Sequence, residues 1–330
     1  MKNKILVILG PTATGKTDLA LSLAKKFDGE LIACDSRQVY LGLDIGTGKM
    51  PGKWTIDNGE LKIEKANKYW KVDGINIWMY DVAHPTKQYN VAQYVEDATH
   101  VVEDIIRRKK LPIIVGGTGL YLKALIYGLS NLKIPANIKL RVRLEQESLE
   151  KLQEQLKSLS PTTWDNLNQS DRQNKRRLIR KIELISMNPY MGMNDQHLGL
   201  SGRFQILKIG LTAPRSALNE RIDTRVLSRF DQGMIKEAER LHKKGLSFKR
   251  MKRLGLEYGV LADYLSRKIK DLEQLKKIMQ TKIHQYAKRQ ITWFKKEPKV
   301  FWFDITDRNW LQRVEKLASD WYNKDLYLYE

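Results

Sequence analysis

Cysteine is almost absent from this 330-residue chain: Cys34 stands alone, and the five histidines have no ligand spacing with it. A disulfide scaffold and a structural zinc site are thereby excluded, and a reducing, cytoplasmic setting is expected. Long apolar runs are missing too. The first, Ile5 to Leu9, is far shorter than a membrane span and continues into Gly10-Pro11 rather than a small-residue cleavage site, so neither a membrane anchor nor a leader is expected. Negative charge is scarce: 38 Asp+Glu stand against 59 Lys+Arg, a formal +21, which points to a polyanionic partner or substrate rather than a neutral metabolite alone. The length suits two lobes, or a core with an insertion.

Strand-length apolar runs occur at Lys4–Leu9, Glu30–Cys34, Ile75–Val82 and Leu111–Val115, separated by stretches of helical spacing. One such stretch places Val91, Tyr94, Val95, Ala98, Val101, Val102, Ile105 and Ile106 on a single helix face before the basic cluster Arg107–Lys110. Crossover helices of this kind imply a mostly parallel sheet. After Gly128 the character changes to a long charged helix over Asn137–Lys157, Ser160-Pro161-Thr162-Thr163, a basic helix from Asp171 to about Met187, and a loop over Asn188–Arg203. A strand at Phe204–Leu211, helical stretches near Arg215–Lys244, Gly255–Leu265 and Asp271–Lys295, and a last strand at Val300–Ile305 follow. The expected organisation is an α/β core from residues 1–128 and 204–330, interrupted by a helical insertion at 129–203.

Gly10-Pro11-Thr12-Ala13-Thr14-Gly15-Lys16-Thr17 fits the pattern G-x-x-x-x-G-K-[ST] between a predicted strand and a helix starting near Lys16. Such a loop turns backbone N–H groups toward phosphate oxygens, Lys16 adds a point charge, the helix N-terminus adds its dipole, and Thr17 is placed to hold Mg²⁺. Taken alone it suits an ordinary ATP- or GTP-using enzyme; it recognises a diphosphate without saying what is attached. Asp35 stands where the second strand runs out, at the sheet edge where ligands lie in open α/β folds. It suits a second-shell Mg²⁺ ligand, a general base, or a mere cap on the turn through Ser36. Cys34 reads as a small buried strand residue.

Taken together, Gly10–Thr17, Asp35-Ser36-Arg37-Gln38-Val39-Tyr40, Asp44-Ile45-Gly46-Thr47-Gly48-Lys49 followed by Pro51, Gly116-Gly117-Thr118-Gly119-Leu120-Tyr121 and Lys288-Arg289-Gln290-Ile291-Thr292-Trp293 resemble the tRNA dimethylallyltransferase family in order and spacing. The resemblance implies a P-loop NTPase-like core with an inserted helical tRNA-binding subdomain, and transfer of a dimethylallyl group from dimethylallyl diphosphate to the exocyclic amine of the adenine 3′ to the anticodon. It implies Asp35 as general base, Arg225 as the arginine on the leaving group, and Lys16 and Thr17 with Mg²⁺ holding the diphosphate. Arg221 and Arg225 lie four apart and share a helix face. Asp35, Ser36, Arg37, Gln38, Thr118, Arg221, Lys288, Arg289 and Gln290 are the implied contacts to the anticodon stem-loop on the core. Arg141, Arg177 and Arg180 are those on the insertion, where six basic residues crowd Asp171–Lys181. A bacterial-type enzyme acting as a monomer is expected.

The chain departs from the family pattern in a longer Met50–Asp81 segment, which resembles an added hairpin and lacks the family's paired histidines, and in Leu254-Gly255-Leu256-Glu257-Tyr258. A prenyltransferase for free adenine nucleotide, a small-molecule kinase, and an RNA-binding module with a relict phosphate site are the competing readings. The first needs no basic insertion, and neither of the others accounts for the C-terminal motif.

Overall fold

The computed structural model describes residues 4–49, 62–66, 68–132, 134–187 and 199–323. They form two compact units, one built from the chain up to Ile126 and from Leu200 onward, the other from Tyr127–Gly199. The first half of the larger unit runs β1 (Lys4–Leu9), α1 (Lys16–Phe27), β2 (Gly29–Cys34), β3 (Ile63–Ala66), β4 (Tyr69–Val72), β5 (Ile75–Trp78), α2 (Val91–Arg107), β6 (Leu111–Gly116) and α3 (Gly119–Tyr127). The smaller unit holds α4 (Ile138–Gln146), α5 (Leu149–Leu159), α6 (Pro161–Asp165), α7 (Gln169–Arg172) and α8 (Lys175–Met187). The chain then returns as β7 (Gln205–Thr212), α9 (Arg215–Asp231), α10 (Met234–Lys243), α11 (Phe248–Leu254), α12 (Leu256–Leu265), α13 (Leu272–Phe294), β8 (Phe301–Asp304) and α14 (Trp310–Asn323). Among the described residues no helix is long and apolar enough to cross a membrane.

One eight-stranded sheet orders the larger unit as β3-β4-β5-β2-β6-β1-β7-β8. The six strands from β5 to β8 in that order pair in parallel, and β3 and β4 add an antiparallel edge, so the sheet is mixed and mostly parallel, as the α/β alternation predicts. Helices covering both faces explain why β1 and β2 are buried almost end to end instead of alternating. Each fully buried aliphatic side chain there contributes about 1.5–3 kcal/mol. Helix α2 begins at a capping box, with Asn90 accepting from Ala92 and Gln93 while Gln93 accepts from Asn90, and it buries Tyr94, Ala98, Val102 and Ile105. Val91, Val95, Val101 and Ile106, expected on the same face, are only half-buried along its flanks.

Register decides what meets at the carboxyl edge. Leu9 pairs with both Gly116 and Gly210, and Cys34 also pairs with Gly116. The residues that follow, Gly10, Asp35 and Gly117, therefore leave three neighbouring strands at one level.

Several expected elements are shorter than the apolar runs suggested. The strand at Ile75–Val82 ends at Trp78 because Met79 and Asp81 adopt left-handed backbone, φ 69° and 57°. The single helix over Asn137–Lys157 is two, since Glu147 turns extended and the Ser148 hydroxyl caps a new start at Lys151 N. The basic helix begins at Lys175, with Asp171 and Arg172 in α7. Arg215–Lys244 is broken at Gly233, φ 93°. β3 and β4 pair as the hairpin expected in the Met50–Asp81 segment, whereas residues 50–61 and 67 lie outside the described residues, as do 188–198 of the Asn188–Arg203 loop.

The smaller unit packs Leu144, Leu152, Leu156, Leu178, Ile179 and Ile182 into its own core. Beside it Glu183 is fully buried and accepts from Asn137 N (2.6 Å) and from Arg141 Nε and Nη2 (2.8 and 2.7 Å), as well as from Arg180. Arg180 also donates to the Asn131 and Ile134 carbonyls at 3.1 and 3.0 Å. Removing one member of such a cluster leaves desolvated charge behind. Glu183→Ala is expected to destabilise this unit by about 3 kcal/mol, read as faster amide hydrogen exchange in α8; unchanged protection there would contradict the assignment.

Candidate active site

The phosphate loop is built by its neighbours as much as by its own residues. At Gly10, φ 143°, a Cβ would stand 2.3 Å from the Leu211 carbonyl oxygen of β7, so only glycine fits. Gly15, φ 81°, starts α1 without a side-chain cap, leaving the first N–H groups of the helix for an anion. Thr14 Oγ1 and Lys16 Nζ donate to the Pro11 carbonyl at 3.0 and 2.6 Å. From α9, Arg221 Nε donates to the Ala13 carbonyl at 2.8 Å, and Arg225 Nη1 reaches Thr12 Oγ1 at 3.5 Å. From α13, Gln290 accepts from Thr12 N and donates to the Gly117 carbonyl, each at 2.9 Å, joining the loop after β1 to the loop after β6.

Asp35 follows β2 and uses one oxygen locally. Its Oδ1 accepts from Arg37 N at 2.8 Å and Gln38 N at 3.4 Å, so the carboxylate does cap the turn, and that cap fixes the direction of the side chain. Ser36 N donates to Thr118 Oγ1 at 3.1 Å, and Gln38 Nε2 donates to the Thr47 and Gly48 carbonyls at 3.3 and 3.2 Å. Cys34 is buried, its thiol pushed up to about 12 chiefly by burial, which leaves it a core residue.

Thr12, Lys16, Thr17, Asp35, Arg37, Gln38, Arg225 and Gln290 share one open cleft. Ser36 and Thr118 flank it through their mutual hydrogen bond, and Arg221 grips the phosphate loop. Lys288 and Arg289 are exposed on α13. Arg141, Arg177 and Arg180 belong to the smaller unit, where Arg177 pairs with Asp171 and the other two with Glu183.

Residues absent from the sequence-based set complete the walls. Arg229, one turn after Arg225, donates to the Gly46 carbonyl at 3.1 Å and to Glu257 at 3.3 Å, while Glu257 also pairs with Arg37 at 3.2 Å. Its spacing from Arg225 was the available signal. Glu237 had none: its carboxylate accepts from Asp44, Ile45 and Gly46 N at 3.0, 2.8 and 3.0 Å and from the Tyr258 hydroxyl at 2.6 Å, fixing the Asp44–Lys49 loop against the cleft. Gly48 allows the approach, since a Cβ there would lie 2.1 Å from Arg229 Nη2 and 2.5 Å from Arg225 Nη2. Glu257 and Tyr258, from the divergent segment, thus serve the interior.

Cationic crowding is the electrostatic signature of the cleft. Burial and then the Arg225 charge bring Lys16 down to about 7 against the pull of Asp35. Arg225 is itself pushed down, first by Arg229 and then by burial, and Arg229 is pushed down by burial. A polyanion relieves that repulsion. Among the described residues no group of three or more His, Cys, Asp or Glu is placed to hold a metal.

Residues 38–297 match the family model for IPP transferase, and residues 3–55 match that for isopentenyl transferase. The chain belongs to the IPP transferase family. Among IPP transferase relatives it is 40% identical over 299 residues to tRNA dimethylallyltransferase 2 of Treponema denticola, covering 90% of this chain and 93% of that one. It is 35% identical over 319 residues to tRNA dimethylallyltransferase of Anoxybacillus flavithermus, covering 95% and 94%. The crystal structure of the tRNA isopentenylpyrophosphate transferase of Bacillus halodurans matches with a TM-score of 0.67 at 30% identity, covering 98% of this chain and 96% of that one. A eukaryotic dimethylallyltransferase acting on tRNA matches with a TM-score of 0.78 at 25% identity, covering 97% and 79%.

The Lys16 environment sets a pH dependence for this IPP transferase. Below about pH 7 the free ammonium is already charged; above it the free amine is mostly neutral, and an anion must restore its proton. Inorganic diphosphate, which itself titrates across this window, is expected to bind at about pH 8.5 with up to one more proton taken up than in a Lys16→Met variant, a difference that shrinks toward pH 6. Calorimetry in buffers of different ionisation enthalpy measures it, and equal uptake by the two proteins would remove Lys16 from the binding site.

Proposed function

We infer that this chain transfers the dimethylallyl group of dimethylallyl diphosphate to the exocyclic N6 amine of the adenine 3′-adjacent to the anticodon in tRNA, releasing diphosphate. The observation that carries this reading is the shared cleft of Asp35, Lys16 and Arg225, in a chain matched over nine-tenths of its length by relatives named tRNA dimethylallyltransferase. An adenine amine is a weak nucleophile because its lone pair is delocalised into the ring. Orientation, proton removal and stabilisation of the leaving group are therefore what the protein must supply. Asp35 takes the N6 proton as the N–C bond forms. Lys16, Arg225 and the phosphate-loop N–H groups receive the diphosphate as the allylic C–O bond breaks.

Mg²⁺ suits this cleft. It keeps several waters and is usually bound by one or two carboxylates beside substrate phosphates, so the Thr17 hydroxyl and diphosphate oxygens would hold it, with the Asp35 carboxylate in the same cleft. Bound there it would neutralise charge on the leaving group. The target base must leave its stack, which costs a few kcal/mol and least in an unpaired loop. Ser36, Arg37, Gln38 and Thr118 line or flank the way in, and Arg221 and Gln290 hold the phosphate loop beside it. Lys288 and Arg289, and on the smaller unit the exposed Arg177, offer charge to the tRNA backbone, whereas Arg141 and Arg180 are engaged by Glu183. The chain is read as acting as a monomer, and a tRNA substrate suits work in the cytoplasm.

Incubating the protein with unmodified tRNA, Mg²⁺ and dimethylallyl diphosphate is expected to yield prenylated adenosine by nucleoside mass analysis. Its absence from well-folded protein, or equal turnover on AMP, would overturn the assignment. Asp35→Asn is expected to lower the single-turnover rate by about 10²–10⁴-fold with tRNA binding retained; an unchanged rate would remove Asp35 from the base role. tRNA affinity is expected to fall steeply between 50 and 200 mM salt, by about tenfold or more, and a flat response in filter binding would remove the phosphate contacts.

A further inference from the structure

One polar group of the cleft has no part in the chemistry so far. Tyr80 lines the cleft at 2% exposure, and among the described residues its hydroxyl meets no acceptor closer than the Lys49 carbonyl, 3.5 Å away at the outer limit of a hydrogen bond. A buried phenol ordinarily finds a firm partner. This one has only that long bond, in a residue that lines the cleft.

The backbone on either side of it is strained. Met79 and Asp81, on either side of Tyr80, both have left-handed φ, 69° and 57°, a conformation that costs a non-glycine residue about 1–2 kcal/mol. The surroundings hold that kink. Asp81 Oδ1 accepts from the fully buried Lys49 Nζ, and Asp81 Oδ2 accepts from Trp70 Nε1 at 2.6 Å. The Tyr80 ring meets the Trp70 ring edge-on at 5.4 Å and 86°. Trp70 comes from β4 of the added hairpin, and Lys65 of β3 donates to Asp44 at 2.6 Å, so the hairpin buttresses both Tyr80 and the Asp44–Lys49 loop. Trp78 pairs with Ile32, which brings the kink to the sheet edge where Asp35 leaves β2.

We propose that Tyr80 is a further catalytic residue of the transfer, donating its phenol O–H to an oxygen of the diphosphate. This rests on the alkyl-transfer reading and adds a group to it. As the allylic C–O bond breaks, its electron pair passes to the bridging oxygen; the N6–C bond forms, and the N6 proton goes to Asp35. Tyr80 keeps its own proton throughout and contributes a hydrogen bond that strengthens as charge develops on the leaving group. Two considerations favour diphosphate over adenine as the acceptor. The phenol feels the charges of Arg225 and Asp18, which border the phosphate loop, and a neutral donor gains most against an oxygen acquiring negative charge. Burial, with the Asp35 charge beside it, pushes the phenol above its ordinary range, so it stays a donor at any working pH.

The test compares Tyr80→Phe with Tyr80→Leu. Phe keeps the ring against Trp70 and removes only the hydroxyl. Titrated with inorganic diphosphate, Tyr80→Phe is expected to bind about tenfold more weakly than the parent. In single turnover at saturating donor and tRNA it is expected to be at least about tenfold slower, with tRNA affinity and thermal midpoint unchanged. Unchanged diphosphate affinity in Tyr80→Phe overturns the proposal. So does loss confined to Tyr80→Leu, which would mark Tyr80 as packing. If the parent protein alkylates no tRNA, the functional reading fails, while the diphosphate titration, which involves no chemistry, still decides the contact.

Discussion

Repulsion among Lys16, Arg225 and Arg229 governs the carboxyl edge of this sheet. Two unit charges 4 Å apart cost about 4 kcal/mol at the effective dielectric of a protein surface, and here these three basic groups and Arg37 line one cleft with only Asp35 and Glu257 as acids. The fold tolerates this because each cation is gripped from elsewhere: Lys16 by the Pro11 carbonyl, Arg225 by Thr12, Arg229 by Gly46 and Glu257. On the proposed reading, the leaving diphosphate relieves that repulsion. Ground-state charge stress of this kind favours the state in which most negative charge is present, and in an allylic transfer that state is the departing leaving group.

The parts of this site that were legible in the sequence are those where one short segment does the whole job. The phosphate loop is complete between Leu9 and Thr17, α1 begins at Lys16 as expected, and Asp35 sits at the end of an apolar strand. Groups whose meaning depends on a distant partner were not legible. Glu237 looks like any acid on an exposed amphipathic helix, yet its partners lie 191–193 positions upstream. The basic run over Asp171–Lys181 reads as a uniform charged surface, while Glu183 turns Arg180 inward and draws Arg141 from another helix. Helix ends failed for a local reason: a Ser or Gly inside a periodic stretch is ambiguous until the backbone commits, as at Ser148 and Gly233.

The hairpin shows how an edge addition acquires a purpose. β3 and β4 lengthen the sheet on the side away from β8 and end the parallel order. Trp70 fills the space behind Lys49 and Asp81 with an indole that also donates a hydrogen bond, and the buried Lys49 shares its three donors among Tyr40, Asp44 and Asp81. A buried ammonium with that many partners is well satisfied. Rigidity thereby reaches the loop that carries Thr47 and Gly48 from outside the cleft.

Gln290 carries a consequence for how the molecule comes into being. Its one amide spans the loops after β1 and β6, so two segments from the first half of the chain wait for a side chain well into the second. During synthesis the ribosome releases the phosphate loop long before the residue that braces it. The two loops are accordingly joined through this side chain only once α13 has docked.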